Sequence, residues 1–229
     1  MITLRNKIGQ MLIMGFSGCE IHDTSPIAQW LSQDGLAGVI LFDKDLNTGL
    51  YGKNLKNEAQ IKQLIQQLNH YAAGMMPLLR AIDYEGGSVD RLSQVEGCMT
   101  TLSAYEMTQL PPAALVEELT QMALTLSSLG FNLNFAPVVD LSINERQGII
   151  GKLKRSFGMS PELVTKMAAQ FVEVFQNHGI ACAYKHFPGH GSATGDTHEG
   201  FVDVTDTFQA EELSPYSSLL EAYEKPIMV

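Results

Sequence analysis

Short apolar runs alternate with longer amphipathic stretches along this chain. The runs are residues 11–16 (MLIMGF), 38–42 (GVILF), 78–83 (LLRAID), 133–140 (LNFAPVVD), 180–187 (IACAYKHF) and 226–229 (PIMV). None alternates cleanly with a period of two, the pattern expected of strands covered on both faces. Between the runs the apolar period lengthens to that of a helix. Residues 58–73 set Ile61, Leu64, Ile65, Leu68 and Ala72 on one face, and Gly74 stands where a C-terminal cap belongs. Residues 112–129 set Leu115, Leu119, Met122, Leu126 and Leu129 on one face, and Gly130 stops them. Residues 161–178 begin with Ser160 as N-cap and Pro161 at the first helical position, bury Val164, Met167, Ala168, Phe171 and Phe175, and end at Gly179. A shorter helix is predicted over 26–33, before Gly35, and another from Ser214-Pro215.

Strand followed by helix, repeated through the chain, predicts a parallel α/β sheet. Two architectures compete: an open doubly wound sheet and a (β/α)8 barrel. The first strand is followed by GFSGCEIHD rather than GxGxxG, and no GxxxxGK[ST] loop occurs. Polar residues sit instead at the C-terminal ends of several strands: Asp83, Asp140, and Lys185 with His186. Barrel enzymes build their sites in that way. A barrel needs eight strands, and the pattern supplies six, the last only four residues long.

Composition narrows the classes further. The chain has 229 residues, 45% hydrophobic and 17% charged. It is long enough for a core, and its low charge argues against disorder. A net charge of −10 makes nucleic acid and anionic membranes poor partners. No run of about 18 apolar residues marks a membrane span. Cys19, Cys98 and Cys182 are far apart and form no CxxC pair, which points to a reducing compartment. Gln10 interrupts the apolar stretch of MITLRNKIGQMLIMGF, so the N-terminus reads as a helix running into a strand, not a signal peptide. A cytoplasmic protein is expected.

Three segments concentrate chemistry. In YKHFPGHGSATGDTH, at 184–198, a strand ends at Lys185-His186, and Pro188, Gly189, Gly191 and Gly195 then force a loop. The histidines at 186, 190 and 198 and Asp196 are competent metal ligands, but no HExxH-type spacing appears and Lys185 would repel a cation. Acid/base chemistry is the second reading, since a carboxylate can orient a histidine ring and raise its pKa. A solvated polar loop is the third, and the residues alone leave it level with the second. AIDYEGGSVDRL, at 81–92, places Asp83 at a strand end before a Gly86-Gly87 turn, with Glu85, Asp90 and Arg91 adding charge. An ordinary βα loop, its Asp capping the next helix, explains that segment slightly better. GKLKRSFG, at 151–158, reads first as a solvated basic loop, with an arginine gripping a ligand hydroxyl or carboxylate as the alternative.

Taken in order, these segments resemble the catalytic domain of glycoside hydrolase family 3, in its β-N-acetylhexosaminidase branch. KIGQMLIMGF, GVILF with KNLKNEAQIKQLIQQL, AIDYEGGSVDRL, NFAPVVD, RSFG and KHFPGHGSATGDTH follow one another as the family's segments do. The resemblance implies a TIM-like (β/α)8 barrel, here truncated after about six βα units, with residues 1–229 forming one C-terminally incomplete domain. It implies a retaining glycosidase acting on N-acetylglucosaminides such as peptidoglycan fragments, with no metal or organic cofactor. By position, Asp83, Arg91, Arg155, Lys185 and His186 would grip the sugar, His198 would be the acid/base, and Asp196 its partner.

The sequence departs from the family in places. Thr197 replaces the commoner Ser, Ser88 stands where a basic residue is frequent, and no residue matches the nucleophilic Asp expected after a seventh strand. A non-catalytic sugar-binding remnant of the same fold is the alternative, and a metal-dependent hydrolase a weaker third. The strands lacking from a full set would expose apolar edges that invite self-association.

Overall fold

The computed structural model describes residues 2–72, 76–195, 200–222 and 227–228. They fall into two compact units interleaved along the chain: Met1–Ile82, Arg91–Met99 and Thr125–Leu133 in the first, Asp83–Asp90, Thr100–Leu124 and Asn134–Val229 in the second.

The first unit opens with helix α1 (Leu4–Gly9), capped by a reciprocal Thr3–Asn6 box, and strand β1 (Ile13–Gly15). Helix α2 (Pro26–Gln29) starts at a proline and passes into a π-helical turn, Trp30–Asp34, which Gly35 closes in the left-handed conformation. Strand β2 (Gly38–Ile40), helix α3 (Glu58–Tyr71) and strand β3 (Leu79–Ile82) follow. The strands run parallel, with Gly38 opposite both Ile13 and Leu79. Only glycine fits there, because a Cβ would lie 2.7 Å from that of Leu79. Asn57 caps α3, whose Ile61, Leu64, Ile65 and Leu68 are buried as the apolar period requires. The helix ends at Tyr71, and the expected cap Gly74 lies outside the described residues.

Strand β1 departs from the two-sided burial expected of it. Met14 is exposed, as are Ile2, Leu4, Ile8, Met11 and Leu12 around it, and only Ile13 of the strand is half-buried. Among the described residues β1 pairs with β2 alone, so it stands at the edge of the strand order, where less of the protein is at hand to cover it.

In the second unit, strands β4 (Tyr84–Gly86) and β5 (Val89–Asp90) form an antiparallel ribbon where the sequence suggests only a tight loop. Gly86 and Gly87 turn it with φ of 95° and 59°. Helices α4 (Ala104–Met107) and α5 (Pro112–Leu129), strand β6 (Leu133–Asn134), and helices α6 (Ile149–Lys152) and α7 (Pro161–Asn177) come next. All five predicted apolar positions of α5 and all five of α7 are buried. Within α7, Phe171 and Phe175 stack with ring centroids 4.3 Å apart. Ser160 Oγ accepts the Leu163 amide at its start. Strand β7 (Ala181–Tyr184), a 3-10 turn (Ala210–Leu213), helix α8 (Ser214–Ala222) and strand β8 (Ile227–Met228) complete the unit.

Strand β6 lies at the division, with Leu133 in the first unit and Asn134 in the second. The first unit's order is β1-β2-β3-β6 and the second's is β6-β7-β8, with β8 parallel to β7. No helix among the described residues is long and apolar enough to cross a membrane.

Candidate active site

Parallel sheets direct the residues just past their strands toward one end, and four such positions of the second unit converge. The β6 run continues as irregular chain to Asp140. Beside it the Lys185 amide donates to Pro137 O (3.3 Å), and the Val139 amide donates to Lys185 O (2.8 Å). This extension of the ladder past β7 places Lys185 and His186 next to Asp140. Asp83 directly follows β3, and Glu85 lies on the β4 ribbon. Arg155 comes from the loop after α6.

Glu85 is the hub. Its carboxylate accepts a two-pronged grip from Arg155, Nε to Oε2 and Nη2 to Oε1, both at 2.8 Å. Lys185 Nζ lies 2.6 Å from the same Oε1 and 2.8 Å from Asp83 Oδ1. Burial alone would raise the Glu85 carboxyl. The Lys185 charge and the Arg155 fork outweigh it and hold the group at about 2, against an ordinary 4.5. Burial works against the Arg155 charge too, yet the hydrogen bonds and charge of Glu85 leave its pKa raised.

His186 is held from both sides. Its Nδ1 is 2.6 Å from Asp140 Oδ2, and its Nε2 is 3.2 Å from Arg155 Nη2. A guanidinium can only donate, so Nε2 presents its lone pair to Arg155 and Nδ1 carries the proton given to Asp140. That tautomer follows from the partners' chemistry. Asp140 is wholly buried and also accepts the backbone amides of His186 and His190.

Exposure divides the labour. The side chains of Asp83 and His186 are 18% and 33% exposed, whereas those of Glu85, Lys185 and Arg155 are below 10%. A ligand entering here meets Asp83 and the His186 ring first, with a preformed frame of ion pairs behind them. Three carboxylates and two cations suit hydroxyl groups, which donate to the former and accept from the latter. Among the described residues no three His, Cys, Asp or Glu side chains gather as a metal-ligand set.

Of the residues singled out from sequence, Asp83, Arg155, Lys185 and His186 come together. Arg91 belongs to the first unit, where Nη1 lies 3.5 Å from Asp43 Oδ1. Asp196 and His198 lie outside the described residues. Sequence reasoning left Glu85 and Asp140 out of the site. A signal for each existed: Glu85 is two residues past Asp83, and Asp140 ends a strand run as Asp83 does.

The model of the glycosyl hydrolase family 3 N-terminal domain matches residues 3–229. The chain belongs to glycosyl hydrolase family 3. A β-hexosaminidase of Xylella fastidiosa strain M23 is 34% identical over 227 residues, covering 96% of this chain and 63% of the relative. One from Xanthomonas oryzae pv. oryzae is 31% identical with the same coverage. This family 3 chain thus spans 63% of the length of these curated relatives. Among solved structures, a family 3 β-N-acetylglucosaminidase from Paenibacillus sp. FPU-7 is 31% identical with a TM-score of 0.81, over 97% of this chain and 41% of that one. NagZ from Neisseria gonorrhoeae, in complex with N-trifluoroacetyl-D-glucosamine, is 25% identical with a TM-score of 0.75, over 95% and 62%. The parallel α/β order of the family 3 chain is that of the family's TIM-like barrel.

Proposed function

We propose that this protein is a retaining β-N-acetylhexosaminidase, hydrolysing N-acetylglucosamine-containing glycosides such as peptidoglycan fragments in the cytoplasm. Residues 1–229 belong to a single catalytic domain of the family 3 type. The observation that carries the reading is the Asp83–Lys185–Glu85–Arg155–His186–Asp140 frame. Its donors and acceptors are fixed before any ligand arrives, which lowers the cost of orienting a sugar. Similarity to β-hexosaminidases supports the choice of sugar.

In this reading Asp83 accepts from sugar hydroxyls, while Lys185, Arg155 and His186 set the polarity around them. Arg91 is a further sugar contact. His198 protonates the leaving oxygen and then deprotonates the attacking water, with Asp196 orienting its ring and stabilising its charged form. Oxygen departure needs that proton most when the leaving group is a poor one. No nucleophile is assigned, and no metal or organic cofactor enters. The exposed apolar residues around α1 and β1 favour self-association.

The test is hydrolysis of aryl N-acetyl-β-glucosaminides of graded leaving-group acidity by the full-length protein. His198→Ala and Asp196→Asn should each slow poor leaving groups by roughly 10²–10⁴. Activated leaving groups should be far less affected in the first step, and binding should persist. Wild-type rates for His198→Ala on a poor leaving group would refute the assignment. Binding of N-acetylglucosamine by a wild-type protein that turns nothing over would favour the sugar-binding alternative.

A further inference from the structure

The loop that leaves the site after Lys185-His186 is fastened by a second buried carboxylate, far along the chain. Glu212, in the 3-10 turn before α8, is wholly buried. Its Oε2 accepts the amides of Gly191 (2.8 Å) and Ser192 (3.3 Å), and its Oε1 accepts that of Gln209 (3.2 Å). Among the described residues no cation forms a salt bridge with it. Asp140 holds the same loop through the amides of His186 and His190.

The fit leaves no slack. A Cβ on Gly189 would lie 2.7 Å from Glu212 Cβ, and one on Gly191 would lie 1.9 Å from Leu141 O. Tyr216 of α8 meets Phe187 edge-on, with centroids 5.3 Å apart. Its phenol is pushed up by burial and by the charges of Asp140 and Glu212, as expected if it lies near both carboxylates.

We propose that Glu212 is a positioning residue for catalysis. It clamps the root of the loop at Gly191 and Ser192, the stretch that in sequence leads on to the proposed acid/base pair. This rests on the glycosidase reading above. An apolar residue at 212 would fill the space but leave three amides without their acceptor, and Oε2 serves two amides of one loop. Charge-assisted bonds to a buried carboxylate are among the stronger hydrogen bonds available for holding backbone. Displacements of about 1 Å at a reacting group are enough to cost about 10²-fold in rate.

Glu212→Gln keeps the shape but turns an NH2 group toward one set of amide donors. Two measurements on the full-length protein test the proposal. Amide hydrogen exchange at Gly191 and Ser192 should accelerate about tenfold or more, with α3 unchanged. On poor aryl leaving groups kcat should fall about 10- to 100-fold with KM within about twofold, while activated leaving groups change less. Leu64→Ala in α3 lowers stability elsewhere and should leave the ratio of rates on poor and activated substrates unchanged. If Glu212→Gln does not fold, Glu212→Asp carries the test, since its carboxylate is one methylene short and should give the same two changes in smaller measure. Unaltered exchange, an unaltered leaving-group ratio, or a profile matching that of Leu64→Ala overturns the proposal. A wild-type enzyme inactive on every aryl N-acetylglucosaminide, with exchange still accelerated in the variant, overturns the glycosidase reading itself and with it the catalytic role of the clamp.

Discussion

Replacing Glu85 with Gln removes one negative charge from the centre of the ion-pair frame and almost nothing from its volume. The consequence can be worked in two ways. Breaking a buried ion pair from one side costs about 3–5 kcal/mol, because the other partner is left charged and unpaired. A glutamine keeps one acceptor oxygen, so either Arg155 Nε loses its 2.8 Å bond at Oε2 or Arg155 Nη2 and Lys185 Nζ lose theirs at Oε1, and the charge that both cations face is gone. The new amide would also point N–H groups at groups that can only donate.

The second route uses linkage. A carboxyl held at about 2 when folded and at its ordinary 4.5 when unfolded contributes about 3 kcal/mol at neutral pH. The folded pKa is the lower one, so this stability is fully present above pH 4.5. It is lost as pH falls through the folded value near 2. Glu85→Gln should therefore unfold with about 3 kcal/mol less stability at pH 7. The gap should shrink to roughly half by pH 3, as the wild type loses what the variant already lacks. Urea unfolding followed by near-UV circular dichroism, repeated from pH 7 to pH 3, measures both. A gap below about 1 kcal/mol at pH 7, or one that does not narrow with acid, would show that Glu85 is not the hub described.

Two further outcomes are expected. Gly86→Ala should cost about 2 kcal/mol in urea unfolding, because φ is 95° there and the new methyl would lie 2.0 Å from Leu102 O; a loss under about 0.5 kcal/mol would mean the ribbon relaxes freely. Cys182 is buried in β7 and its thiol is pushed far up by that burial, so a thiolate-specific disulfide reagent at pH 8 should leave it unmodified in the native protein and label it in urea; rapid native labelling would contradict its placement.

The parts of the fold that were legible in sequence are those whose causes are local. Helix α7 was expected over 161–178 and ends at Asn177, because Ser160, Pro161 and Gly179 act within a turn of its ends. Helix α5 occupies its expected span for a related reason: the apolar period is unbroken between Pro112 and Gly130. The β4–β5 ribbon was not legible. Its strands are two and three residues long, and what holds them is a cross-chain ladder that leaves no periodic trace. Helices α4 and α6, one turn each, were missed because four residues carry no amphipathic period. The exposure of β1 escaped as well, since an apolar run looks the same whether one side of the strand is paired or two.

For the site, sequence supplied the residue types and the strand-end positions, but not who neutralises whom. Lys185 and Asp83 are 102 residues apart, and Arg155 and Glu85 are 70 apart. Neither separation follows from a motif; each follows from the order in which parallel strands lie. Two strand-end carboxylates, Asp83 and Asp140, are equivalent as letters, yet the structure gives them different work. Asp83 stays partly open and shares Lys185 with Glu85. Asp140 is sealed off and accepts three backbone or ring N–H groups from the His186–His190 segment. Burial therefore separates a group that can meet a ligand from one that can only hold its neighbours. The same criterion makes Glu85 and Glu212 holders. Their removal should be felt as misplacement of Lys185, Arg155, His186 and the loop beyond, whereas removal of Asp83 should be felt as a lost contact.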